Sequence, residues 1–396
     1  MTVVGIVAEY NPFHLGHKYQ IDKIREMFGK DTAVVAVMSG NYTQRGELAI
    51  FDKYTRAEAA VLAGVDLVLE LPFPYSMSGA EFFARAGVSI LDSLGVVDYL
   101  CFGSECADIE ALKKAADALC DEILPKEESH DARGYADKCE DICKMSGISA
   151  EIFSPNNILG IEYIKAIKSL ESNIVPITIK RIGAGYNEEK TTSKAFQSAM
   201  SIRSLLRDRD DSALDYIPNE TKNTIIRALQ NGEAPTDQSR LDTAVIASLR
   251  LNSPKASEHE LHDLGGGLYN RIRNASFFTD NILSLTELVK TKKYTTARLR
   301  RAIWYSYLGV TSSDVRALPT YTRVLGMNAS GCALLKRIKK ASAFTVITKP
   351  SITAGLSEQV ILAKAISDKA DFVFQLSKPK TVRGDLALIS SPFVKK

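Results

Sequence analysis

The chain has 396 residues, of which 45% are apolar and 24% are charged, a composition that is typical of folded globular proteins and excludes a disordered chain. Its 50 Lys and Arg residues against 47 Asp and Glu residues leave a net charge of +3, which taken alone argues against a nucleic-acid partner. No stretch approaches the roughly 20 apolar residues of a membrane span. The length predicts two or three domains.

The first apolar run and the cysteines indicate where the protein works. Residues 3–8 lack a preceding basic region and are followed by a glutamate, so they do not resemble a signal peptide. The six cysteines are too few for a disulfide scaffold, and none forms the Cys-x-x-Cys pair of a zinc ribbon. We therefore expect a cytoplasmic protein in a reducing environment, without a structural metal site.

The first half of the chain alternates short apolar runs with segments of helical period. Strands are predicted over residues 3–8, 33–38, 65–70, 98–102 and 174–180. Helices are predicted over residues 17–28, 54–63, 79–94, 157–170 and 198–207, and a helical insertion is predicted over 107–150. Short, continuously apolar strands separated by helices indicate an α/β fold with a parallel, Rossmann-like sheet covered on both faces.

The second half is different. After residue 208 the strand pattern fades and helical segments dominate, with short β-like segments near residues 344–348 and 371–375. We expect an N-terminal α/β domain over residues 1–208 and a mainly helical domain over residues 209–396.

The small net charge is the sum of a strongly basic segment and an acidic remainder. Between Thr286 and Thr345 lie twelve basic residues and only two acidic ones, a net charge of +10 that leaves −7 for the rest of the chain. A basic segment on an acidic protein is typical of a polyanion partner, although a solvated helix face is the plainer interpretation. Aromatic residues lie among the charges, and they could stack on RNA bases or belong to a core: Tyr294, Trp304, Tyr305, Tyr307 and Tyr321.

The sharpest motif is Asn-Pro-Phe-His-Leu-Gly-His at residues 11–17, directly after the first predicted strand. Gly16 lets a nucleotide approach the backbone, and the start of a helix offers N–H groups to phosphate. His14 and His17 can donate hydrogen bonds to phosphate oxygens as charge develops there. The motif resembles the His-x-Gly-His signature of the nucleotidylyltransferase superfamily, which includes pantetheine-phosphate adenylyltransferases and class I aminoacyl-tRNA synthetases.

A second superfamily element begins at Ser198. Residues 198–203, Ser-Ala-Met-Ser-Ile-Arg, resemble the late helix start that holds a triphosphate with N–H groups and a basic side chain. This places Ser201 and Arg203 opposite the His-x-Gly-His turn. The plainer interpretation is a helix start with Ser198 as its N-cap.

Further motifs narrow the resemblance to a family. Residues 9–17, 38–47, 65–72, 102–105, 154–160 and 180–186 together resemble the bacterial tRNA(Met) cytidine acetate ligases, and the likeness continues more loosely through 267–272, 293–295 and 321–326. That family activates acetate with ATP as acetyl-adenylate and acetylates N4 of the wobble cytidine of elongator tRNA(Met). The chain departs at Leu15, where a polar residue is common, and at Asn187, where His is expected.

The resemblance implies specific site residues. The implied ATP-binding residues, besides Ser201, are Val7, Ala8, Glu9, Tyr10, Asn11, Pro12, Phe13, His14, Leu15, Gly16, His17, Lys18, Tyr19, Gln20, Gly103, Asn157, Arg181 and Ile182. His14, His17 and Arg203 are expected to be catalytic, with ATP and Mg²⁺ as the expected cofactors. The tRNA phosphates are expected on Lys290, Lys292, Lys293, Arg298, Arg300 and Arg301. The predicted partners are elongator tRNA(Met) and acetate, with no membrane and no protein partner.

Other residues are candidates on weaker grounds. The loop at residues 40–46 follows the second strand, so Gln44 and Arg45 could hold acetate or the anticodon, or simply connect two elements. Lys23, Lys53 and Arg56 are further candidates to reach phosphates. Asn157 could bind the nucleotide or cap a helix. His259 and His262 lack the spacing of a zinc-binding helix.

Two other functions stay open. A small-molecule adenylyltransferase of the same superfamily would use the N-terminal half but leave the basic segment without a role. A non-catalytic RNA-binding protein with a relic nucleotide fold would not need the two histidines, Gly16, Ser201 and Arg203 together.

Overall fold

The computed structural model of the protein describes residues 1–121, 149–181, 197–251 and 260–395. The strands are β1 (Val3–Ala8), β2 (Ala33–Ser39), β3 (Leu67–Leu71), β4 (Tyr99–Ser104), β5 (Val175–Lys180), β6 (Tyr321–Met327), β7 (Thr345–Ile347) and β8 (Phe393–Val394). The helices of the first half are α1 (Leu15–Phe28), α2 (Lys53–Leu62), α3 (Ala80–Ser93), α4 (Ile109–Asp121), α5 (Pro155–Ser169) and α6 (Ala199–Arg207). The later helices are α7 (Asn219–Gln230), α8 (Asp242–Leu251), α9 (Leu268–Ser276), α10 (Ile282–Val289), α11 (Thr296–Leu308), α12 (Ser312–Arg316), α13 (Ala329–Ala341), α14 (Glu358–Gln375) and α15 (Leu386–Ile389).

The strands form one sheet in the order β5-β4-β1-β2-β3-β6-β7, with β8 paired to β6. The first five strands are parallel, which confirms the predicted parallel α/β sheet. The chain winds outward from β1 through β2 to β3, then returns to the other side of β1 to form β4 and β5. This reversal between β1 and β4 opens a crevice at the carboxyl edge of the sheet.

Both faces of the sheet are covered, which explains why β1, β2 and β3 are apolar apart from Ser39 and Glu70. On one face α3, α4, α5 and α13 pack on Val3, Val35 and Leu69. On the other face α1 and α2 cover Val4 and Ile6. Successive side chains of a strand point to opposite faces, so a strand buried on both sides shows no polar alternation.

A second core joins the C-terminal helices to the loops of the sheet. Residues of α8 to α11 and α14 pack around Trp304 and Tyr305, both fully buried. Tyr42 and Phe73, from the segments that follow β2 and β3, insert into the same core. The helical region is therefore fixed directly to the carboxyl edge of the sheet.

The C-terminal half also completes the sheet, so a boundary at residue 208 does not separate the sheet from the helices. Strand β6 runs antiparallel to β3, and α13 covers the sheet beside α3. The β-like pattern at 344–348 corresponds to β7, but the prediction at 371–375 is wrong because those residues end helix α14. Strand β6 escaped prediction because its polar residues Thr322 and Arg323 are fully buried, where an apolar pattern is expected.

The predicted insertion at 107–150 begins as helix α4, and residues 122–148 lie outside the described part of the chain. Within the described ranges, no helix is long and apolar enough to cross a membrane. The four cysteines among the described residues have free thiols: Cys101, Cys106, Cys120 and Cys332.

Candidate active site

The His-x-Gly-His turn lies at the carboxyl end of β1, beside the crevice between β1 and β4. Helix α1 begins at Leu15, one residue before the motif glycine Gly16, with His14 as its N-cap. The Nδ1 atom of His14 accepts the Gly16 N–H at 3.0 Å, and the Nδ1 atom of His17 accepts the His14 N–H at 3.2 Å. The two rings stack with centroids 3.8 Å apart.

These contacts define the tautomer of each ring. Because Nδ1 accepts a hydrogen bond in both residues, each neutral imidazole carries its proton on Nε2. Burial lowers the pKa of His14 to about 3, and nearby Arg181 and Arg203 act in the same direction. Burial and His14 hold the pKa of His17 well below its usual value. The turn therefore presents two neutral Nε2–H donors, as required for hydrogen bonds to phosphate oxygens.

Arg203 reaches the same turn from helix α6. Its Nη1 donates to the Asn11 carbonyl at 2.9 Å, its Nη2 lies 3.7 Å from Glu47 Oε2, and its Nε donates to no atom of the described residues. Ser198 caps α6 by accepting the Ser201 N–H at 3.1 Å. The expected meeting of Arg203 with the turn is thus observed, and Ser201 occupies the first turn of the helix that carries Arg203.

The loop after β2 closes the other side of the turn. Asn11 Oδ1 accepts the Ile50 N–H at 2.8 Å, and Glu9 Oε1 accepts the Gln44 N–H at 2.8 Å. Arg45 is exposed at the tip of this loop, where its charge acts on both Glu9 and Arg203. Gln44 is therefore a positioning residue through its backbone, and Arg45 is the loop side chain that is open to a ligand.

The β4 side of the crevice is built from Gly103, Asn157 and Arg181. A Cβ at Gly103 would lie 2.9 Å from Arg181 Cγ, so a larger residue there would force the Arg181 side chain to move. Arg181 Nη1 donates to Asn156 Oδ1 at 2.9 Å. Asn157 Oδ1 accepts the Glu105 N–H at 2.9 Å, while its buried Nδ2 has no partner among the described atoms.

Asn157 therefore does not cap its helix, because Ser154 is the N-cap of α5. Its side chain holds the turn after β4 and leaves an amide N–H buried without an acceptor, a cost that a bound ligand could remove. The sequence predicted no role for Glu105. Its carboxylate fixes this region by accepting hydrogen bonds from Ser154 Oγ at 2.6 Å and from the Asn157 N–H at 3.2 Å.

Not every residue in the predicted ATP stretch points at the crevice. Val7, Tyr10 and Phe13 are buried in the cores beneath the turn, so only their backbone can contribute. Gln20 Nε2 donates to the Cys101 carbonyl at 3.2 Å, and Lys18 pairs with Asp22 on the surface of α1. Lys18, Tyr19 and Gln20 follow the turn along the helix.

Ile182 and Asn187 lie outside the described residues, as does His259. His262 is buried against the rings of Phe82 and Tyr305, which agrees with a packing role.

The predictions for Lys53 and Arg56 are wrong. Lys53 is fully buried, with Nζ 2.7 Å from Glu70 Oε1 and 2.5 Å from Asp371 Oδ2. Arg56 is also buried and donates to the carbonyls of Phe51, Glu9 and Gly40. Both cations are therefore paired with buried groups of the protein, because burial of an unpaired charge would be costly. Neither is available to bind a phosphate. Lys23 pairs with Glu26 on the surface of α1, at 2.6 Å.

The basic segment separates into groups with different surroundings. Arg323 is fully buried among Glu70, Asp368 and Asp371. Arg300 pairs with Glu47, and Arg301 donates to the Gln44 carbonyl at 3.1 Å. Lys292 and Lys293 are exposed in the turn before α11, and Lys290 is exposed beside Glu287.

The aromatic residues of that segment also differ in burial. Trp304, Tyr305 and Tyr321 are buried, so the core interpretation is correct for them. Tyr294 is partly exposed, with Arg298 5.3 Å and Lys293 5.6 Å from the centre of its ring. It is the ring of this group that lies beside the exposed lysines.

The sequence did not predict two groups of ion pairs, one around Glu47 and one around Asp263. Glu47 joins Arg203 of the crevice to Arg300 of α11, and Asp263 lies 3.6 Å from Arg298 and 3.5 Å from Arg301. Glu47 does belong to the run at 38–47 that carries part of the family resemblance, but its partner Arg300 lies more than 250 residues away. Only the folded chain brings the two together.

A cleft of about 970 Å³ opens beside Glu47, between helices α6 and α7 and helix α10. Arg207, Arg209, Arg240 and Arg300 line it together with apolar side chains such as Leu206 and Leu283. Glu47 lines the cleft and also lies 3.7 Å from Arg203, so it links the cleft to the arginine that contacts the His-x-Gly-His turn.

The fold and this crevice define a nucleotidyl transferase of the His-x-Gly-His class. A family model described as HIGH Nucleotidyl Transferase matches residues 1–385. A tRNA(Met) cytidine acetate ligase of Caldanaerobacter subterraneus subsp. tengcongensis is 40% identical over 361 residues, covering 88% of this chain and 89% of its own length. A relative of the same name from Acetivibrio thermocellus is 37% identical over 371 residues, with 89% of each chain covered.

A solved structure points the same way. The crystal structure of Thermotoga maritima TmcAL bound with alpha-thio ATP superposes with a TM-score of 0.89 at 30% identity, covering all of this chain and 99% of that one. The chain therefore belongs to the HIGH nucleotidyl transferase family, and within it to the tRNA(Met) cytidine acetate ligases. The family resemblance inferred from the motifs is confirmed.

Proposed function

We propose that the protein is an ATP-dependent ligase that activates acetate as acetyl-adenylate and then acetylates N4 of the wobble cytidine of elongator tRNA(Met). Two kinds of observation support the proposal. The relatives at 37–40% identity carry the name of this ligase, and the crevice has the donors that adenylation needs. The single observation that carries it is the pair of neutral imidazoles at the start of α1.

In the first step an acetate oxygen attacks the α-phosphorus of ATP, and the bond to the bridging oxygen breaks to release diphosphate. The Nε2–H groups of His14 and His17 would donate to oxygens of the phosphates as negative charge grows on them. Arg203 would approach the same oxygens from α6. Asn157 Nδ2 and Arg181, across the crevice, are suited to the nucleoside end of ATP.

The donors around the turn are N–H groups and a guanidinium, which suit phosphate oxygens and not a cation. A Mg²⁺ ion bound to the phosphates of ATP would neutralise part of their charge.

The tRNA would bind across the helical region next to the crevice. Lys290, Lys292 and Lys293 are exposed and suited to backbone phosphates, and Tyr294 lies beside them. Arg300 and Arg301 would act differently, because they hold the loop at 40–47 against α11. We propose that these two arginines position Arg45 and Glu9 for the wobble base.

The cleft beside Glu47 offers a path for the anticodon. Its arginines suit phosphates, its apolar wall suits a base turned out of its stack, and Glu47 links it to Arg203. A small-molecule adenylyltransferase would need neither the exposed lysines nor this cleft, so no observation favours that alternative.

One experiment tests the proposal. The protein is incubated with ATP, labelled acetate and a tRNA(Met) transcript, and each component is left out in turn. We expect label in the tRNA only when all three are present, with AMP and diphosphate formed in equal amounts. Transfer of the adenylyl group to a small molecule without tRNA would favour the alternative, and unchanged ATP would indicate a non-catalytic RNA-binding protein.

A further inference from the structure

The second step of the proposed reaction, on which this inference rests, must dispose of a proton. The cytidine N4 amine attacks the acetyl carbonyl carbon, a C–N bond forms, and the C–O bond to the phosphate of AMP breaks. The attacking amine becomes an amide with one proton fewer, and this proton needs an acceptor close to the reacting atoms.

We propose that Glu9 is that acceptor, the general base of the acetyl-transfer step. Glu9 is the first residue after β1 and lies two residues before the His-x-Gly-His motif segment begins. Its carboxylate therefore stands at the carboxyl edge of the sheet, next to the turn that would hold the adenylate.

The hydrogen bonds of Glu9 leave one oxygen available. Oε1 accepts the Gln44 N–H at 2.8 Å, which fixes the carboxylate, whereas Oε2 accepts no hydrogen bond from the described residues. Glu9 is only partly buried, so Oε2 is not sealed away from a substrate. A fixed carboxylate with one free oxygen is the arrangement that a general base requires.

The two neighbouring carboxylates lack this freedom. Glu47 is paired with Arg300 and lies near Arg203. Glu105 accepts hydrogen bonds from Ser154, Asn156 and the Asn157 N–H. The imidazoles of His14 and His17 have both Nδ1 atoms occupied by N–H groups, so they can donate through Nε2 but cannot take up the proton there.

The charged and titratable groups that face Glu9 come from four elements. Arg203 lies on α6, Arg56 on α2, Arg45 on the loop after β2, and Tyr163 on α5. The three arginines lower the pKa of Glu9, but burial outweighs them and raises it above the usual value. A raised pKa makes a carboxylate a stronger base as long as it stays below the working pH.

The test is Glu9→Gln, assayed in two half-reactions. Glutamine Oε1 can still accept the Gln44 N–H, so the loop keeps its anchor while the basic oxygen is lost. Acetate-dependent exchange of labelled diphosphate into ATP is measured with a tRNA whose wobble cytidine is replaced by uridine, which cannot accept the acetyl group. Transfer is measured in a single turnover with the natural tRNA. Glu110→Gln, an exposed carboxylate on α4, is the matched control.

We expect Glu9→Gln to slow transfer by about 10²–10⁴-fold, the usual contribution of a general base, and to slow the exchange reaction far less. Glu9→Asp should recover part of the transfer rate. Transfer unchanged in Glu9→Gln would overturn the inference, and so would equal loss of both half-reactions, because Glu9 would then act in binding or folding. Failure of the wild-type protein to label tRNA would instead overturn the proposed function.

The pH profile separates a base from a binding group. The transfer rate of the wild-type protein should rise with pH through the pKa of Glu9 and level off above it, because only the carboxylate form accepts a proton. In Glu9→Gln this rise should disappear. A variant that is slower but keeps the same profile would overturn the inference.

Discussion

The turn at residues 11–17 and the basic segment at residues 286–345 both stand out in the sequence, yet the fold treats them differently. In the turn, neighbouring residues act together, since His14 and His17 hold each other through the first turn of α1. In the basic segment, neighbouring charges have unrelated surroundings. Arg300 binds Glu47, Arg323 is buried with carboxylates, and Lys293 faces solvent.

The difference teaches what a sequence pattern can localise. A short motif at the end of a strand is shaped by local hydrogen bonds, so its residues stay together in space. A count of charges over 60 residues covers a turn, three complete helices and a strand, whose faces point in different directions. The sum of +10 therefore overstates the basic surface that a tRNA could meet.

The largest effect should come from the buried member of the basic segment. Arg323→Met leaves Glu70, Asp368 and Asp371 with too little positive charge, so we expect a loss of about 3–5 kcal/mol in the free energy of unfolding. Urea denaturation followed by circular dichroism measures it. Lys293→Met should unfold at the wild-type urea concentration, and equal stability of both variants would break the comparison.

The next effect should come from the turn. His14→Ala removes one Nε2–H donor to a phosphate, and we expect acetate-dependent adenylation to fall by about 10²–10³-fold. Diphosphate exchange measures the rate, and thermal denaturation shows whether the variant is folded. A folded His14→Ala protein with wild-type exchange would remove the turn from the chemistry.

A smaller effect, on tRNA affinity, should distinguish the lysines before α11 from those on α13. The triple variant Lys290→Ala, Lys292→Ala, Lys293→Ala should bind tRNA more weakly and lower the slope of log affinity against log salt by roughly 2. Filter binding at several salt concentrations measures it.

The matched control is Lys336→Ala, Lys339→Ala, Lys340→Ala on α13. These lysines are also exposed, but Ala341 at the end of that helix lies against Gly95, before β4, at the opposite edge of the sheet from the crevice. Equal losses in the two triple variants would mean that total charge, and not its position, decides tRNA affinity.

The smallest expected change is none at all. Because burial lowers the pKa of His14 to about 3, its imidazole should stay neutral from about pH 5 to pH 8. Nitrogen-detected NMR of the histidine rings should show the Nε2–H form throughout this range. A titration near the ordinary value of about 6.5 would contradict the donor assignment.

The lowered pKa of His14 also makes the stability of the folded protein depend on pH. Below about pH 6.5 the unfolded chain binds a proton at His14 that the folded protein does not, so His14 contributes a loss of stability as the pH falls from there towards 3.

Much of the site followed from the sequence because it is built at strand ends. The five parallel strands, the His-x-Gly-His turn and the Arg203 helix were predictable from apolar runs and local motifs. Gly103 and Asn157 lie on the β4 side of the crevice, where Asn157 holds a turn and does not cap its helix, and their binding of ATP stays a prediction.

The remainder depended on contacts between distant residues. Lys53 and Arg56 stand near the site in sequence, but Glu70, Asp371 and three backbone carbonyls take up their charges. Strand β6 is hidden by its buried polar residues, and the role of Glu47 depends on a partner in α11. No local pattern carries such information, because each contact needs two segments that only the fold brings together.

The most direct test of the central claim is mass spectrometry of tRNA(Met) after incubation with ATP and labelled acetate. The proposed function predicts one labelled acetyl group on the wobble cytidine, formed by the wild-type protein and strongly reduced in a folded His14→Ala variant. Label on another nucleotide, or equal labelling by the two proteins, would contradict the account of this site.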